Sequence, residues 1–101
     1  MTGEMNEVDK EEYADWFNLA KEIREKTHVK AEVKPSDTTA DPDPFVHVPK
    51  YRLKVGLDGE GFWGKRQKRG RKYHYMDIGT TEAVVRYINA LKRKRKQMVE
   101  V

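Results

Sequence analysis

Residues 61–95, GFWGKRQKRGRKYHYMDIGTTEAVVRYINALKRKR, pass from a basic hairpin into a helix, and they decide the fold of this chain. The hairpin carries Lys65, Arg66, Lys68, Arg69, Arg71 and Lys72, interrupted by Gln67 and Gly70. Phe62 and Trp63 precede the run, and Tyr73 and Tyr75 follow it. Like charges set this close repel one another, so the run is best stabilised by a polyanion that supplies counter-charge along a line. A solvated hairpin tip is the plainer alternative. A second cluster, Lys92-Arg93-Lys94-Arg95-Lys96, closes the helix and turns two patches into one surface. The preference of cations for a helix C-terminus accounts for part of it without any ligand.

Working outward, Asp58-Gly59 and Gly61 tolerate the backbone of a tight turn, which predicts a hairpin into a strand from Phe62 to Gln67. Lys68-Arg69-Gly70-Arg71 makes the next turn, and Lys72 to Ile78 the next strand. Ahead of them, Val46, Val48, Tyr51, Leu53, Val55 and Leu57 read as one strand, whose alternate positions Arg52, Lys54 and Gly56 give it a basic face. Gly79 ends the meander, and Thr80 or Thr81 caps the helix, with Glu82 in its first turn. Ala83, Val84, Tyr87, Ile88 and Leu91 form a stripe that lies across the apolar side of the sheet and leaves the basic side open.

Towards the N-terminus, Asp9 and Glu12 have capping-box spacing and predict a helix that starts near Asp9. Its stripe of Tyr13, Trp16, Phe17, Ala20 and Ile23 packs on the protein's own sheet or, alternatively, on a protein partner. Val29, Ala31 and Val33 alternate with charged residues and suggest a fourth short strand at 29–34. Residues 35–44, PSDTTADPDP, are a loop. The expectation is an α+β fold: an N-terminal helix and a three-stranded antiparallel sheet packed on a C-terminal helix. Residues 1–45 form an acidic helix and linker, and residues 46–101 a basic βββα nucleic-acid-binding domain. Charge follows this division. Six Lys/Arg stand against twelve Asp/Glu before residue 46, and fifteen against five after it, giving −6 and +10. Such an arm is expected to fold over the basic face or to meet another partner.

A chain of 101 residues has room for one modest core and none for a separate cofactor domain. Charged residues make up 38% and mean hydropathy is −0.97, so some segments are expected to be poorly ordered. There is no cysteine, which removes disulfides and thiolate zinc sites and fits an intracellular protein of the cytoplasm or nucleoid. No apolar run suits a membrane span or a secretory signal. His28, His47 and His74 lie on separate segments, and Ser36 is the lone serine. A metal-dependent nuclease built on Glu60 and Asp77 would need a third ligand. The reading is therefore of a non-enzyme with no cofactor and no metal.

Gly61-Phe62-Trp63, the basic turn with Gly70-Arg71-Lys72, an aromatic strand, and Ile78-Gly79-Thr80-Thr81-Glu82-Ala83 leading into a helix with Tyr87 and Ala90 resemble a known type of DNA-binding domain. It comprises the arm-binding domains of phage tyrosine recombinases and the related AP2 domains of plant regulators and homing nucleases. The resemblance covers residues 51–91. It implies a sheet lying in the major groove of double-stranded DNA, with contacts from Arg52, Lys54, Trp63, Lys65, Arg66, Arg69, Arg71, Lys72 and His74. The charge clusters add Lys68, Lys92 and Arg93. Here an acidic helical arm stands in front and no recombinase catalytic domain follows, so the expected function is non-catalytic binding, as in a phage or mobile-element regulator of transcription or recombination. Two alternatives stay open. One is a double-stranded RNA-binding module, whose order of elements is the same but whose last helix begins with lysines rather than Thr80-Thr81-Glu82. The other is a small phage-type protein that binds and inhibits a host protein through the Tyr13/Trp16/Phe17 helix.

Overall fold

The computed structural model describes residues 8–36, 43–67 and 72–100, with side chains as far as Lys94. Helix α1 spans Ala14–Thr27 and is followed by strands β1 (Glu32–Lys34) and β2 (Phe45–Val48). A single 3-10 turn at Pro49–Tyr51 leads to β3 (Leu53–Asp58), β4 (Gly61–Gln67), β5 (Tyr73–Gly79) and helix α2 (Thr81–Glu100). The fold is α+β, with one antiparallel sheet in the order β1-β2-β3-β4-β5.

The sheet has five strands where the spacing predicts three or four, because the expected single strand from Val46 to Leu57 is two. Val48 and Leu53 are five residues apart, so one continuous strand would place them on opposite faces. Pro49 fixes its φ and has no N–H to give a ladder, and Arg52 adopts φ 52°, which folds the chain back on itself. Val48 then lies directly opposite Leu53, and both are fully buried. The expected strand at 29–34 is confined to Glu32–Lys34, with Val29 and Ala31 buried just before it.

Helix α1 begins later than the capping spacing predicts. The Asp9 carboxylate accepts from the N–H groups of Glu11 (2.8 Å) and Glu12 (3.2 Å), but these close a turn, and α geometry starts at Ala14. Its buried stripe is Trp16, Leu19, Ala20, Ile23 and Thr27, while Phe17 is half-buried. Of the two threonines that the sequence offers as a cap for α2, Thr80 takes the place, its hydroxyl accepting from the Ala83 N–H at 3.1 Å. Among the described side chains of that helix Val84, Val85 and Ile88 are buried, with Tyr87 and Leu91 packed at the margin.

Charge divides the chain near residue 45, but the core does not. Trp16, Leu19 and Ile23 belong to the same buried cluster as Val46, Val48, Leu53, Val55, Val84 and Ile88. Both helices therefore lie on one side of the sheet. The Lys92 ammonium ties them together by donating to the Thr27 carbonyl at 2.6 Å, at the negative end of the α1 dipole.

Candidate nucleic-acid interface

Alternation along each strand sends one set of side chains under the helices and the other set outward. The cross-strand pairs fix which is which. Val46, Val55, Gly64 and Met76 form one row on the helix side, and Val48, Leu53, Arg66 and His74 another. On the other side a single row crosses all five strands: Glu32, His47, Lys54, Lys65 and Tyr75. Beside it lie Lys34 opposite Phe45, Gly56 opposite Trp63 and then Asp77, and Gln67 opposite Tyr73.

Lys54 and Lys65 stand directly opposite each other, a pairing of like charges that costs the folded sheet stability. Aromatic rings draw them apart. The Lys54 ammonium lies 5.0 Å from the Phe45 ring centroid, on the β2 side, and the Lys65 ammonium lies 4.2 Å from the Tyr73 centroid and 5.6 Å from that of Tyr75, on the β5 side. Tyr75 is 65% exposed and Tyr73 44%, the two large apolar side chains most open to solvent among the described residues. The Trp63 indole covers Gly56, where a Cβ would clash with the ring. A glycine is thus required for the tryptophan to form part of the floor of this face.

At the β1–β2 end, Lys34, Lys54 and Lys30 surround His47. Burial first, then the positive charges of Lys34 and Lys54, hold its imidazole below the ordinary histidine value, while Glu32 opposes them. Glu32 itself is held below the usual carboxylate range, first by Lys30 and then by Lys34.

The residues expected to contact nucleic acid are therefore distributed over several surfaces. Lys54, Trp63 and Lys65 come together on the open face. Arg66 points to the helix side, where its Nε donates to the Tyr51 carbonyl at 3.2 Å and holds the 3-10 turn on the sheet. His74 shares that side and lines a groove with Arg66, Met76, Tyr87 and Leu91. Arg52 is exposed at the turn before β3, and Lys72 is exposed at the start of β5. Lys92 joins the two helices, and Arg93 is exposed on α2. Lys68, Arg69 and Arg71 lie outside the described residues.

Lys34, Phe45, His47, Tyr73 and Tyr75 share the open face but are not among the residues that the sequence singles out for contact. For Phe45 and His47 the signal is parity, since they alternate with the buried Val46 and Val48. Helix α1, which carries Asp15, Glu22 and Glu25 of the acidic arm, lies on the side of the sheet opposite the open face. Of the rings expected to meet a protein partner, Trp16 is in the core and Tyr13 packs edge-on against it at 5.2 Å.

Among the described residues no three His, Asp or Glu side chains come together where they could hold a metal ion, and no helix is long and apolar enough to cross a membrane. No protein-family model, curated protein or solved structure matches the chain.

Proposed function

We propose that this protein binds double-stranded DNA, without catalysis, through the open face of its sheet. The observation that carries the reading is the row His47, Lys54, Lys65 and Tyr75, in which paired lysines and exposed rings occupy a surface that the fold does not use for its core. Lysines gathered on one outward face offer positive charge to a phosphate backbone, and phosphate contacts supply most of the affinity of a DNA-binding surface. The dimensions assign parts of the face to parts of a duplex. Five strands spaced by about 4.8 Å span roughly 19 Å, whereas the major groove is about 12 Å wide. Strands β3 to β5 fit the groove. Lys34 and His47, on β1 and β2, then lie over the phosphates at its edge.

The test is a salt series of binding to matched duplex DNA, duplex RNA and single-stranded DNA, for the wild type and a Lys54→Ala/Lys65→Ala variant. The expected result is tightest binding to duplex DNA and a weaker, less salt-dependent complex for the variant. Tighter binding to duplex RNA would replace this reading with the RNA one. Absence of binding to any of the three at low salt would overturn it.

A further inference from the structure

One carboxylate is out of place on the open face. Asp77 sits opposite Trp63 in the register, is exposed, and has no ion pair among the described residues. With Trp63, Tyr75 and Asp58 it lines a shallow hollow at the β3–β5 end of the face. The two acids differ in what occupies them. Asp58 accepts from the Glu60 N–H at 2.8 Å and shapes the β3–β4 turn, whereas Asp77 has no such local task.

A carboxylate beside a phosphate would repel it, so this end of a DNA-binding face is suited to base edges and not to backbone. The groove edges of the four bases then decide which one fits. Guanine presents two acceptors, thymine an acceptor and a methyl group, and adenine an acceptor beside its amino donor. Each places a lone pair or bulk against an ionised carboxylate. Cytosine alone presents a donor with no acceptor beside it. Its carbon edge would lie against the exposed ring of Tyr75 or the indole of Trp63.

We propose that Asp77, framed by Trp63 and Tyr75, reads a cytosine in the major groove and makes binding sequence-dependent at that position. The inference rests on the DNA-binding reading and adds a specificity determinant to it.

Selection from a randomised duplex pool, with wild type, Asp77→Asn and Asp77→Ala in parallel, tests it. The wild type should prefer cytosine at one position by about 5- to 150-fold, the range of a single good base contact. Asp77→Asn should move the preference at that position to adenine, whose adjacent donor and acceptor match an amide, and leave other positions unchanged. Asp77→Ala should abolish the preference while binding to unrelated duplex stays equal or tightens, because a negative charge has left the face. Thermal unfolding of both variants should match the wild type, since Asp77 is exposed. Identical preferences in all three proteins, or a uniform loss of affinity in Asp77→Asn, would overturn the assignment and leave DNA binding standing. A wild type that recovers no duplex from the pool would overturn both.

Discussion

The same strands make two unlike surfaces. Towards the helices, Val46, Val48, Leu53 and Val55 are fully buried and share one core with Leu19, Ile23, Val84 and Ile88. Outward, between those residues, stand His47, Lys54, Trp63, Lys65, Tyr73 and Tyr75. Burial of one parity stabilises the sheet and leaves the other free of that constraint. The outward residues are therefore informative about function. Opposed lysines and exposed tyrosines are poor choices for stability alone, and the proposed DNA contact rests on their presence on the unburied parity.

The largest expected difference between the surfaces is in stability. Leu53→Ala should cost about 2–5 kcal/mol in chemical denaturation, through lost burial and the cavity left behind, whereas Tyr75→Ala should stay within about 0.5 kcal/mol. Equal costs would mean that the open face also holds the fold. Gly56→Ala comes next, because it drives a methyl into the Trp63 ring. Overpacking of this kind costs about 1–3 kcal/mol, and adding Trp63→Ala should recover most of it.

Lys92→Met is smaller. It removes a charged hydrogen bond to the Thr27 carbonyl, worth about 1.5 kcal/mol, and should leave the salt dependence of DNA binding as it was. A flattened salt dependence would return Lys92 to the interface.

The smallest effect concerns His47. Its folded pKa lies below the unfolded value, so between the two the unfolded chain binds more protons. Its contribution to stability is complete above about pH 6.5 and is lost as pH falls towards the folded pKa. His47→Gln should remove that part of the decline in a pH series of melting temperatures. Binding runs the other way. Phosphate near His47 favours the imidazolium, so wild-type affinity should rise as pH falls, and rise less in His47→Gln.

Local chemistry made the second half of the fold readable. Asp58-Gly59 set the β3–β4 turn, and Thr80 with its hydroxyl cap set the start of α2. The break between β2 and β3 was signalled by Pro49 and by a change of phase between Val48 and Leu53, but a run of apolar residues at short intervals masks such a change. Parity within a charge run was masked in the same way. Lys65 and Arg66 are neighbours in a strand and must point to opposite sides, and His74 lies between two tyrosines that both point outward. The role of Lys92 was out of reach, because its partner Thr27 is brought to it by the packing of two helices distant in sequence.

The measurement closest to the central claim is the salt dependence of duplex binding for two variants that each remove three positive charges. One carries Lys34→Ala, Lys54→Ala and Lys65→Ala on the open face; the other carries Arg86→Ala, Arg93→Ala and Lys94→Ala on exposed positions of α2. Each phosphate contact contributes about −0.9 to the log–log slope, so the open-face variant should flatten it by about 2.7 and the α2 variant should leave it unchanged. Equal flattening would show that net charge, and not the open face, holds the DNA.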